Sequence, residues 1–159
     1  MTYKGRFTPK NISKYEGNPM RIEYRSLWER QTFRWLDNND HVVKWSSEEV
    51  IVPYVCRTDN RKHLYFPDLK VTFKNGATYL IEIKPKKETI EPKRKAKTKA
   101  FLFEVMKYAK NISKWEAAAS YAKDKGWTFE VWHEDTLRSL GIVLLLKEAQ
   151  KKPGKIVYK

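Results

Sequence analysis

The chain has 159 residues, 41% of them hydrophobic, with six Trp and nine Tyr, which suits one domain with a substantial core and excludes disorder of the whole chain. A formal net charge of +14 points to a polyanionic partner, with nucleic acid ahead of acidic membrane or acidic protein. The single Cys56 excludes an intrachain disulfide, scattered His41, His63 and His133 offer no zinc-ligand spacing, and the apolar run at 142–146 is far too short to span a bilayer.

Residues 1–23 carry Gly5, Pro9, Gly17 and Pro19 among basic and aromatic side chains and read as an irregular basic arm, either wrapped over the core or clamping a partner. No apolar segment of the secretory type opens the chain. A helix is expected over about 26–37. Ser26-Leu27-Trp28-Glu29 has the form of a capping box, Trp28, Thr32, Trp35 and Leu36 keep helical spacing, and Asn38-Asn39 supplies a stop. Two short strands, or one bent strand, follow over 42–45 and 49–55, with Pro53 marking an edge or a bulge. Cys56 reads as a small residue at a strand end, and 56–62 as a charged loop.

The chain is organised around residues 64–86, where two β-rich runs flank Asn75-Gly76. Leu69, Val71 and Phe73 share one face of the first run, and Tyr79, Ile81 and Ile83 share one face of the second. A two-residue Asn-Gly turn would put these apolar faces on opposite sides of the sheet. The expected connection is therefore a three-residue loop over 75–77 with Gly76 at positive φ, or a bulge. In that register Lys74 pairs with Thr78, Val71 faces Ile81, Lys70 faces Glu82 and Asp68 faces Lys84. The polar face then gathers Asp68, Glu82 and Lys84.

After Pro85 comes a dense basic run that includes Lys86, Lys87, Lys93, Arg94, Lys95, Lys97 and Lys99. A helix through Phe101–Tyr108 is expected next, then a second helix opened by Ser113-Lys114-Trp115-Glu116 and closed at Gly126. Residues 127–132 alternate as a strand, 135–140 form a short helix, and a basic tail occupies 147–159. This order predicts an α/β or α+β domain over 24–146, with a central mixed sheet flanked by helices. No Gly-rich phosphate loop is present, so no nucleotide cofactor is expected.

Asp68 and Glu82 on one face are the donors Mg²⁺ prefers, and a lysine beside them can orient water or meet charge developing on a phosphate. The alternative is a cross-strand set of ion pairs, Asp68 with Lys84 and Lys70 with Glu82, on a solvated face. Glu29 either completes the Ser26 capping box or turns towards the hairpin as a further ligand. Arg25 ahead of it is a phosphate ligand or an ordinary surface charge. Trp28, Trp45 and Trp115 keep the spacing of core residues, with base stacking as the alternative for exposed ones.

Asp68 after a proline, followed by Glu82-x-Lys84 on the next strand after a Glu-bearing helix, resembles the PD-(D/E)xK nuclease superfamily. That family's core is α-β-β-β-α-β and would cover about 24–132. The stretches Gly5-Arg6-Phe7-Thr8-Pro9-Lys10-Asn11, Gly17-Asn18-Pro19 and Tyr24-Arg25-Ser26-x-Trp28-Glu29 resemble the head completion nucleases of T-even-type tailed bacteriophages. A more distant likeness is to the restriction-like endonuclease subunit of bacterial transposition complexes. The resemblance implies a Mg²⁺-dependent DNA endonuclease, with Mn²⁺ able to stand in, acting on packaged DNA ends before tail joining. It makes Glu29, Asp68 and Glu82 metal ligands and Lys84 the catalytic lysine. Implied partners are double-stranded DNA and head or portal vertex proteins, met in the host cytoplasm during assembly, with no membrane; retention in the virion stays open. The run from Lys86 to Lys99 is either a solvated charged face or, as it follows Lys84, a groove wall that with Arg25 would track phosphates without reading bases. Two rivals stay open: a structural DNA-binding or neck-assembly protein on a nuclease scaffold, and a resolvase of branched DNA.

Overall fold

The computed structural model describes residues 3–93 and 98–145. Along the chain run β1 (Gly5–Arg6), β2 (Glu23–Tyr24), α1 (Leu27–Asn38), β3 (Val42–Ser47), β4 (Val52–Cys56), β5 (Arg61–Tyr65), β6 (Leu69–Phe73), β7 (Thr78–Ile83), α2 (Lys99–Asp124), β8 (Thr128–Trp132) and α3 (Glu134–Ser139). The central sheet has the order β3-β6-β7-β8, antiparallel except for the parallel β7–β8 pair. A parallel neighbour needs a long crossover, and α2 supplies it. The result is the expected mixed α+β domain.

Both faces of the sheet are covered. On one, Leu69, Val71 and Ile81 pack with Trp45 and with Phe33 and Leu36 of α1. On the other, Leu80 packs with Trp115, Ala118 and Ala122 of α2 and with Val52, Tyr54, Cys56 and Tyr65 of the β4–β5 hairpin. The second face is thus a second core, not the solvated surface that strand alternation suggests. The charged loop expected over 56–62 gives way to β5 at Arg61, since Arg61 and Lys62 carry no apolar pattern; β5 pairs with β4 from Val52↔Tyr65 to Cys56↔Arg61. Pro53 sits in this separate two-stranded sheet, as an edge position should.

The arm is tied down. β1 pairs with β2, Phe7 packs edge-on to Phe33 and Trp45, and buried Tyr15 packs on Trp45. The Lys14 ammonium donates to the carbonyls of Leu36, Asp37 and Asn39 at 2.7–3.1 Å and so satisfies the open end of α1. Trp45 and Trp115 are buried and Trp28 packs against the first core, so core packing accounts for all three.

Two expectations are corrected. The predicted pair of helices after Pro92 is one helix, α2, because nothing between Met106 and Trp115 breaks it. The Ser113 hydroxyl bonds back to the Ala109 carbonyl at 3.1 Å and accepts the Arg57 N–H, so it caps a neighbouring loop and not a helix start. The hairpin register is Leu69↔Ile81, Lys70↔Leu80, Val71↔Tyr79 and Thr72↔Thr78, two residues away from that expected. The loop is three residues long, as anticipated, but comprises Lys74, Asn75 and Gly76, closed by the Phe73 N–H to the Ala77 carbonyl at 2.9 Å. Gly76, at φ 88°, takes the last loop position, where a three-residue hairpin places its left-handed residue. A slip of two keeps every side chain on its face.

Candidate active site

Extending the ladder one step past Leu69↔Ile81 sets Asp68 opposite Glu82, not opposite Lys84. Asp68 follows buried Pro67 at the head of β6, and its Oδ2 accepts the Ile83 N–H at 2.8 Å. Glu82, only 8% exposed, accepts the Tyr65 hydroxyl at Oε1 and has the Lys84 ammonium 3.7 Å from Oε2. Neither ion pair of the alternative reading forms. Lys84 pairs with Glu82, and Lys70 pairs with Glu16 at 3.3 Å and sits over the Trp127 ring.

Glu29 caps its helix and also faces the hairpin. Its N–H donates to the Ser26 hydroxyl at 3.1 Å, which is the cap, while its carboxylate accepts the Arg25 N–H at 2.9 Å. At 7% exposure it also turns inward to meet the hairpin residues. One oxygen each from Glu29, Glu48 and Asp68 lies within 4.8 Å of the others. Glu48 comes directly after β3 at φ 53°, with its N–H on the Asp68 carbonyl at 3.2 Å and its Oε2 bonded to Arg25 at 2.9 Å. A non-glycine residue in that region is held there by its surroundings.

The electrostatics follow from burying so many acids together. Burial, then the nearby charges of Glu82 and Glu29, holds the Asp68 carboxyl well above the usual carboxylate range. Glu29 is raised by burial, against the Arg25 N–H, and then by Glu48 and Glu82. Glu82 is raised by burial, against the Tyr65 hydrogen bond and the charges of Lys84 and Lys114. Carboxylate oxygens crowded in this way repel one another unless a cation or protons intervene. The donors are hard oxygens, which fit a divalent cation of the Mg²⁺ or Mn²⁺ type and would reject a soft one.

Residues 39–134 match the family model of the TnsA-like endonuclease N-terminal domain. The chain is also 43% identical over 146 residues to the head completion nuclease of Enterobacteria phage T4, covering 89% of this chain and 97% of that protein. The chain belongs to the TnsA-like endonuclease family. No solved structure matches it. Membership makes it a DNA endonuclease with a restriction-endonuclease-like fold, and the α1-β3-β6-β7-α2-β8 core described above is consistent with that fold.

Within this TnsA-like domain the four motif residues Glu29, Asp68, Glu82 and Lys84 converge at one end of the sheet. Arg25 stands beside them, exposed and paired with Glu48. Lys86 is engaged elsewhere, its N–H on Glu134 at 2.6 Å and its ammonium on Asp135 at 3.2 Å. Lys87, Lys93 and Lys99 are exposed, while Arg94, Lys95 and Lys97 lie outside the described residues. Sequence reasoning missed Glu48, Tyr65 and Lys114. Glu48 falls in a loop with no periodicity, and its only signal is acidity just after a strand. Tyr65 was placed on the central hairpin and belongs to β5. Lys114, on α2, was absorbed into a supposed capping box; burial lowers its ammonium, opposed by the attraction of Glu82.

Proposed function

We propose that the chain is a Mg²⁺-dependent endonuclease that hydrolyses DNA phosphodiesters without reading sequence, during completion of a phage head. The observation that carries the chemistry is the meeting of Glu29, Asp68, Glu82 and Lys84, from three separate stretches of sequence, beside Arg25. Asp68, Glu82, Glu29 and Glu48 would hold the cation, which supplies Lewis acidity and brings a bound water into the range where it is a nucleophile at neutral pH.

The chain's own groups do the rest. Lys84 meets the negative charge that grows on the phosphate oxygens, or holds the attacking water through its ammonium. Tyr65 fixes the rotamer of Glu82 by occupying one oxygen, leaving the other to the site. Arg25 reaches a flanking phosphate once its bond to Glu48 opens. Similarity to the head completion nuclease of phage T4 supports a role in head completion, hence DNA ends as substrate, head or portal proteins as partners, and the host cytoplasm as the place of assembly.

A plasmid-nicking assay tests the reading. Wild type is expected to convert supercoiled plasmid to nicked and linear forms with Mg²⁺ and not with EDTA. Folded Asp68→Ala and Lys84→Ala variants should lose at least about 10²-fold in rate. Equal cutting by either variant overturns the site.

A further inference from the structure

A second cluster of cations lies where the arm packs on α1. Arg6 and Lys10 of the arm and Arg30 and Arg34 of α1 line one pocket of about 340 Å³ with Tyr24 and Asp37. Among the described residues none of these four cations makes an ion pair. Asp37 makes no ion pair with them; its carboxylate oxygens accept the N–H groups of Lys10 and Asn11, at 2.8 and 3.1 Å. Glu23 stands opposite Arg6 in the β1–β2 ladder without an ion pair between them.

Arg30 gives the pocket its direction. Its guanidinium stands over the Tyr24 ring at 5.9 Å, and its Nε is shut off from solvent with no hydrogen-bond partner. A guanidinium that no carboxylate meets, set beside three further cations, is complementary to a phosphate. Arg34 is one helical turn further, with Cβ atoms spaced on the order of 6 Å, a separation that two guanidiniums can bridge to neighbouring phosphates. Glu29, in the acidic cluster, is the residue just before Arg30. The pocket is therefore built on the same helix as the acidic site.

We propose that this pocket is a phosphate seat that holds the DNA backbone beside the active site, on the helix that carries Glu29. The choice of DNA as the anion rests on the nuclease reading above. Seated there, a duplex would be held to one side of the scissile bond, and the arm would be part of the grip as well as part of the core.

The test is DNA binding in EDTA, followed by fluorescence anisotropy on a labelled 25-base-pair duplex across a salt series, with cleavage of the same duplex in Mg²⁺. The pocket variants are R30Q/R34Q and R6Q/K10Q, and the control is K123Q/K125Q at the far end of α2. Each pocket pair should weaken binding about tenfold or more near 0.1 M salt and flatten the log–log salt slope by about 1.8, or 0.9 per lost phosphate contact. The control should stay within about twofold of wild type in binding and in cleavage, while cleavage at subsaturating DNA should fall in the pocket variants in step with their binding. Having pairs on two different elements guards against one that fails to fold. If wild type binds and cuts but both folded pocket pairs match the control, the seat is refuted and the nuclease reading survives. If wild type shows no salt-dependent DNA binding, the two fall together.

Discussion

Glu82 shows how one carboxylate is held in place by its neighbours. Its Oε1 is taken by the hydroxyl of Tyr65, delivered by the β4–β5 hairpin from outside the central sheet, and Oε2 faces Lys84. The Tyr65 bond favours the charged form of Glu82 and so lowers its carboxyl against the rise that burial imposes. Tyr65→Phe removes that support while keeping the ring in the core. The expected result is a loss of about 10–100-fold in activity or metal affinity, the usual size of such a supporting contact. The acid limb of the pH–rate profile should also move to higher pH, because Glu82 then needs a higher pH to ionise. A merely structural tyrosine would lower stability and leave the limb in place. The same logic places Lys114, whose charge opposes the rise in Glu82 from the α2 side.

Among the elements, the β6–β7 hairpin decides whether the site exists, and its turn rests on one glycine. A Cβ on Gly76 would meet nothing within 4 Å, so any cost of Gly76→Ala comes from its φ of 88° alone. About 1 kcal/mol of destabilisation is expected in urea unfolding, with an unchanged m-value. A neutral result would mean that the loop relaxes to another turn. The sequence made the parity of this hairpin legible because alternation of Leu69, Val71, Ile81 and Ile83 fixes faces. It did not make the register legible, since a slip of two leaves that alternation untouched, and only the position of Gly76 within the loop distinguishes the two. Glu29 and Glu82 were readable as candidates because they sit on periodic elements, and Asp68 and Lys84 because each directly adjoins an alternating strand. Glu48 and Tyr65 were not, one lying beyond a strand end and the other on a strand whose outward residues are Arg61, Lys62 and Leu64. α2 was split in two by a serine whose hydroxyl bonds back along the helix, a local signal that tertiary packing overrode.

Over the whole molecule, charge is distributed against itself: a chain of net +14 buries a knot of acids at one end of its sheet. The basic exterior draws in a polyanion, and the acidic knot supplies the place where a cation can meet it. That knot also couples stability to pH. Asp68, Glu29 and Glu82 are all raised, by burial first. Their folded forms therefore hold protons that the unfolded chain releases. Their contribution to stability is fully present below the ordinary carboxylate range and is lost as pH climbs through their raised values. A divalent cation replaces those protons, so it should rescue what alkaline pH removes. In thermal unfolding, 10 mM Mg²⁺ is expected to raise the melting temperature more at pH 8 than at pH 5, where protons already screen the acids. Glu48→Gln removes one of the repelling charges and should raise the metal-free melting temperature at pH 8 while shrinking the Mg²⁺ increment. If the increment is the same at both pH values, the carboxylates do not share a cation, and a role for Glu48 beside Asp68 is ruled out.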